Sequence, residues 1–239
     1  MRPVTLPGPA PARLLLTCEH ASCAVPAEYR NLGLSAGQLA DHIGWDVGAA
    51  ALSQELSRQL AAPAVMSAAS RLLVDCNRDP ADPSLVLAES DGVRVPGNAR
   101  VTRAERARRV ELFHAPYHRA VERTIERELR RGRAPRLLSI HSFTPVMGGV
   151  ERRLDVGVLF DRHPGLARRL GAEIRRMGWR VRYNEPYSGL AGLIYSARRH
   201  GHAGGIDYVE LEINNALLRE SRSIERMGRD VARALRAIG

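Results

Sequence analysis

Four stretches of this 239-residue chain end an apolar run on side chains capable of chemistry. LLLT (14–17) passes through Cys18 into Glu19 and His20. LLVDC (72–76) leads into Asn77 and Arg78, LLSI (137–140) into His141 and Ser142, and YVELEIN (208–214) carries Glu210, Glu212 and Asn214. Open α/β sheets bind ligands beyond the carboxyl ends of their strands, so four such ends bearing imidazoles, carboxylates, an amide and a guanidinium point to one site.

Two imidazoles and a carboxylate, His20, His141 and Asp46, form a donor mix that suits a catalytic zinc, or another divalent ion, with one coordination position open. The three lie far apart in the chain, so no local spacing supports the set, and Asp46 reads equally well as a helix N-cap. The pair His114 and His118 in HAPYH has i, i+4 spacing but lacks the glutamate of a zincin and encloses Pro116. His118 is retained as a hydrogen-bond donor to the pocket and His114 as structural. In YVELEIN, Val209, Leu211 and Ile213 alternate with Glu210, Glu212 and Asn214. The acidic side is either an exposed face or a site face on which Glu212 serves as general base. Arg78 is the candidate clamp for a substrate carboxylate, helped by Asn77, because a guanidinium holds a carboxylate through two parallel hydrogen bonds. Asp75 and Asp79 orient that arginine or cap the turn.

These residues need a scaffold of alternating strands and helices. Strands are expected at Leu14–Thr17, around Val65, at Leu72–Asp75, and in RLLSIHSF, DVGVLF, WRVRY and YVELEIN. Helices are expected from Asp46, from Thr102 to Arg131 with a Thr102/Glu105 capping box and a kink or break at Pro116, in GLARRLGAEIRRMG, and from Ser221 to Ile238. The Pro- and Gly-bearing segment Asp79–Asn98 reads as a lid or binding loop. This order predicts a three-layer α/β (αβα) fold around a mixed, largely parallel sheet, in one domain spanning residues 1–239.

Composition narrows the class. No apolar run approaches the ~20 residues of a membrane helix and no signal-peptide core is visible, so a cytoplasmic protein without a membrane partner is expected. Cys18, Cys23 and Cys76 are too few and scattered for a disulfide framework and are expected to be reduced. The net charge of +10 raises nucleic acid as a partner. Yet the arginines alternate with glutamates, as in RAERARRVE and RTIERELRR, without interleaved aromatics, which reads as solvated helix faces. A small anion is the expected partner and nucleic acid is not; the sequence leaves the oligomeric state open.

Taken in order, CEHAS with Val25 and Pro26, DHIGWDVGA, SRLLVDCNR, PYH, SIHSF, NEPYSG and VELEIN resemble the N-formylglutamate amidohydrolase family from Cys18 to Asn214. The resemblance implies a phosphorylase/hydrolase-like fold related to zinc carboxypeptidases and a metal-dependent amidohydrolase. It implies an anionic N-acyl amino acid as substrate, N-formyl-L-glutamate first, and a place in histidine breakdown. It puts His20, Asp46 and His141 on the metal, Glu212 on the base and Arg78 on the carboxylate clamp. Arg198 of SARRH is the expected receiver of a second carboxylate, and His118, His200 and His202 are candidates for stabilising an oxyanion. EHAS lacks the HxxE spacing of zinc carboxypeptidases, so Asp46 takes that carboxylate's place. Asp207 stands near a point where members acting on formylglutamate carry a histidine. Alternatives are another N-acyl amidohydrolase, a carboxypeptidase-like hydrolase, or a non-enzymatic binder of small anions or nucleic acid.

Overall fold

The computed structural model describes residues 1–8 and 12–239. Its main sheet has seven strands: β1 (Val4–Leu6), β2 (Leu14–Cys18), β3 (Ala64–Met66), β6 (Arg136–Phe143), β9 (Val156–Leu159), β10 (Val181–Tyr183) and β11 (Tyr208–Asn214). Two short hairpins, β4 (Glu89–Ser90) with β5 (Val93–Arg94) and β7 (Val146–Met147) with β8 (Val150–Glu151), stand apart. The order is β1-β3-β2-β6-β11-β9-β10. Four neighbouring strands, β3, β2, β6 and β11, run parallel, β1 and β9 pair antiparallel at either side, and β10 follows β9. The sheet is mixed and largely parallel, as expected.

Helices cover both faces. α2 (Ala49–Leu60), α5 (Pro164–Arg176) and α7 (Ser221–Ala237) pack Leu52, Leu56, Leu170, Ile174, Met227 and Val231 on the face that carries Leu16, Leu138, Ile140, Val209, Leu211 and Ile213. On the other face, α4 (Ala115–Arg130) and α6 (Tyr195–Gly204) bring Tyr117, Val121, Ile125 and Ala197 against Leu15, Leu137 and Tyr208. Beside this sandwich lies an irregular layer containing the short helix α1 (Ala36–Ala40).

The expected strand at Leu72–Asp75 does not exist. Leu72, Leu73 and Val74 are buried, but in a satellite core with Leu32, Leu85, Val95 and Phe113. Their backbone is paired locally: Leu73 N–H donates to Ser70 O, and Asp75 N–H to Leu85 O. A short apolar run reads the same in a buried loop as in a buried strand. The helix expected from Thr102 is divided into α3 (Arg103–Arg109) and α4 by a π-turn at Val110–His114, just ahead of Pro116. Thr102 Oγ1 accepts from Glu105 N–H at 3.1 Å, while the Glu105 carboxylate turns to Arg109 at 2.9 Å, so only half of the capping box forms.

Cys18 and Cys76 are buried, one in each face's core, and all three cysteines are free thiols. No helix among the described residues is long and apolar enough to cross a membrane.

Candidate active site

The site grows out of one period-two pattern repeated on three parallel strands. On the face under α4 and α6, Leu15, Leu137 and Tyr208 are register partners and apolar. Two residues on, Thr17, Ser139 and Glu210 share a level, and two further on His141 and Glu212 are partners, with Glu19 beside them. The same face thus changes from core to chemistry along each strand, at the carboxyl ends, because successive side chains alternate between faces.

All of these polar groups are buried. Asp46 Oδ2 lies 3.3 Å from His20 Nδ1 and 2.8 Å from His141 Nδ1, and accepts from Ser142 N–H at 3.2 Å. The two rings meet edge to face with centroids 4.8 Å apart. Their outer nitrogens are also engaged by carboxylates: His20 Nε2 by Asp75 at 2.7 Å, His141 Nε2 by Glu19 at 2.9 Å. Glu19 in turn accepts from Tyr117 O–H at 2.5 Å and Ser139 O–H at 2.6 Å. Arg71 bridges the carboxylates of Asp46 (3.3 Å) and Asp75 (3.2 Å). Asp46 is therefore no helix cap: α2 begins at Ala49 after Gly48, with no side-chain cap, and the Asp46 carboxylate faces the histidines.

Electrostatics here are strained. Burial alone would raise Asp46, Asp75 and Glu19, but the adjoining imidazoles, with Arg71 beside Asp75, hold all three below the usual carboxylate range. Burial alone would lower His141, and the carboxylates of Glu210, Asp46 and Glu19 push it up instead. Glu210 and Glu212 are raised to about 8, mainly by burial and then by neighbouring carboxylates. Five buried carboxyl groups thus crowd one arginine and two imidazoles, and two of them are pushed toward the neutral acid; a divalent cation would favour the ionised form of those two. Ligand atoms of His20, Asp46 and His141 lie within 4.8 Å of one another, as do those of His141, Glu210 and Glu212. Oε2 of Glu212 is buried without a hydrogen-bond partner. The donor set, the carboxylates behind both imidazoles and this orphaned oxygen fit a metal centre.

A cavity of about 220 Å³ opens on these groups, lined by His20, Asp46, Arg71, His141, Glu210 and Glu212 and by Asn77 and Arg78. A cavity of that size has room for a small molecule. The Asp79–Asn98 segment supplies part of the wall through Leu87, Ser90 and Asp91, in keeping with a binding loop.

Arg78 donates through Nε to Ser84 Oγ (3.1 Å) and through one terminal nitrogen to Asn77 O (3.0 Å). Asn77 is a tie between segments: its amide oxygen accepts from Ser196 N–H at 2.9 Å, and its nitrogen lies 3.4 Å from both Leu193 O and Glu210 Oε2. Asp75 caps its turn through Asn77 N–H (2.8 Å) and orients His20; Asp79 caps through Ala81 N–H (2.8 Å).

The structure does not bring His118, His200, His202 or Arg198 to the cavity. His118 lies 2.8 Å from His200 and 3.2 Å from His114 in a buried histidine cluster between α4 and α6. It is Tyr117, one residue and ~100° earlier on α4, that points to the site through Glu19. His202 pairs with Tyr208 O–H (2.9 Å), and Asp207 with His163 (3.3 Å) at the far end of β11. Sequence reasoning left Glu19 without a role and missed Arg71; counting by twos along β2 from Leu15 reaches Glu19, whereas Arg71 carries no such signal.

The family model for N-formylglutamate amidohydrolase matches residues 12–219. Among solved structures, a gene product of Agrobacterium tumefaciens is 34% identical with a TM-score of 0.93, over 99% of this chain and 96% of that one. An N-formylglutamate amidohydrolase from Ralstonia eutropha shares the fold at 19% identity, with a TM-score of 0.75 and the same coverage. No curated protein matches the chain.

Proposed function

The chain belongs to the N-formylglutamate amidohydrolase family, and from that premise we propose that it hydrolyses the amide of an N-acylated acidic amino acid, N-formyl-L-glutamate to formate and glutamate first among them. His20 and His141, each through Nδ1, and Asp46 would hold a divalent ion, zinc being the one their chemistry suits. When bound, such an ion polarises an acyl oxygen and acidifies water.

The protein's own groups supply the rest. Asp75 and Glu19 fix both rings so that Nδ1 faces Asp46, the usual service of a carboxylate behind a ligating histidine. Glu212, which lines the cavity and has one unpartnered oxygen, takes a proton from the attacking water and passes it to the leaving nitrogen; a carboxyl group held near neutrality is suited to both halves of that transfer. Arg78 anchors one substrate carboxylate from the wall of the cavity.

The observation that carries this reading is the convergence of both Nδ1 atoms on one oxygen of Asp46, with Glu212 next to His141 in register. The test is an amine-release assay over N-formyl and N-acetyl amino acids, with and without added zinc. Fastest release from N-formyl acidic amino acids, abolished by a chelator and restored by zinc, is expected; no release from any N-acyl amino acid would end the reading.

A further inference from the structure

Three arginines stand in or against the cavity, and they differ in what neutralises them. Arg71 is paired with Asp46 and Asp75. Arg78 has no carboxylate within ion-pair distance among the described residues, and neither has Arg152. The neighbouring Arg153, by contrast, is exposed and paired with Glu151 at 3.0 Å.

Arg152 is half-buried in the loop after β8. Its guanidinium lies over the Tyr187 ring at 5.0 Å and the Phe143 ring at 5.9 Å. One terminal nitrogen donates to Tyr187 Oη at 3.1 Å and reaches Thr144 O at 3.5 Å; the other lies 2.9 Å from the Met147 sulfur. Tyr187, Phe143, Thr144 and Met147 all line the cavity. A guanidinium partly removed from water, stacked on aromatic faces and lacking an anion, is a receptor awaiting one.

We propose that Arg152, held in place by Tyr187 and Phe143, receives the second carboxylate of a dicarboxylic substrate and so makes the site selective for acidic amino acids. The assignment rests on the hydrolase reading above for its substrate, and it replaces Arg198: neither arginine lines the cavity itself, but the Arg152 guanidinium contacts four residues that do. Arg78 and Arg152 come from different segments, so each carboxylate has its own guanidinium, and a substrate lacking one carboxylate leaves one arginine unsatisfied.

The test compares wild type and Arg152→Gln on N-formylglutamate and on its two monoamides, N-formylglutamine and N-formylisoglutamine. For the diacid, kcat/KM is expected to fall about 10- to 100-fold, the range of a lost charge-assisted hydrogen bond. For one monoamide the substitution should change nothing further, because the arginine's partner is already missing. Tyr187→Phe, which frees Arg152 from its acceptor, should raise KM for the diacid with little change in kcat. Equal losses on all three substrates, or none, would overturn the assignment. Calorimetric binding of glutarate and of its monoamide to the same proteins separates this idea from the hydrolase reading. Arg152-dependent preference for the diacid in a protein without hydrolytic activity would sink the function and leave the receptor standing. No such preference in an active hydrolase would do the reverse.

Discussion

Glu212 and His141 are register partners on adjacent parallel strands, side by side on one face, and Oε2 of Glu212 is buried with no partner. A buried carboxyl oxygen left unsatisfied costs stability, so its retention at a cavity wall is best understood through what enters the cavity. If Glu212 moves the proton during hydrolysis, Glu212→Gln should preserve the fold and the metal content while lowering kcat about a hundredfold or more. Steady-state kinetics with metal analysis of the same sample checks this; near-normal turnover would remove Glu212 from the base role.

Among the described residues His141 has no substitute in the candidate metal set, since His20 is the one other imidazole that meets Asp46 Oδ2. His141→Ala should therefore purify without stoichiometric metal from medium in which wild type carries one equivalent. A full equivalent of zinc in that variant would take His141 off the ligand set.

Glu19 and Asp75 act behind the imidazoles. Glu19→Gln keeps a hydrogen-bond acceptor for His141 Nε2 but removes its charge, and should weaken zinc affinity about 10- to 100-fold in competition with a chromogenic chelator. The melting temperature of the metal-free variant controls for plain destabilisation, because Glu19 also holds Tyr117 and Ser139. Unchanged affinity would reduce Glu19 to a packing residue.

How far these partners could be read from the chain depends on the range of the interaction. Period-two alternation found β11 and its acidic face, and the same count reaches Glu19. That Glu19 meets His141, 122 positions away, is a fact of strand order, which no local pattern encodes. Asp46 reads two ways because a carboxylate ahead of a helix looks the same whether it caps or faces a site; the backbone excludes only the cap, by starting α2 at Ala49. His118 was misplaced because i, i+4 spacing fixes which residues share a helix face but not which neighbour that face meets, and here it is α6.

The histidine cluster between α4 and α6 has its own consequence. His118 and His200 are buried against each other, and burial first, then nearby positive groups, lowers both; His200 falls to about 4. The folded pKa then lies below the unfolded value of about 6.5, so the unfolded chain binds more protons between the two. Stability from the neutral cluster is complete above about pH 6.5 and is lost as pH falls toward 4. For His200 the loss is about 3 kcal/mol at most, taking the interval from 6.5 to about 4 at 1.36 kcal/mol per unit. The depressed carboxylates Asp46, Asp75 and Glu19 add losses of the same sign, beginning lower, near their own unfolded values. Urea unfolding at pH 7, 6 and 5 in matched metal conditions isolates the histidine. Its Nδ1 has no partner to lose, so His200→Gln should reduce the slope of unfolding free energy against pH by up to one proton, about 1.4 kcal/mol per pH unit. An identical slope in the two proteins would mean that His200 does not titrate on unfolding in this range.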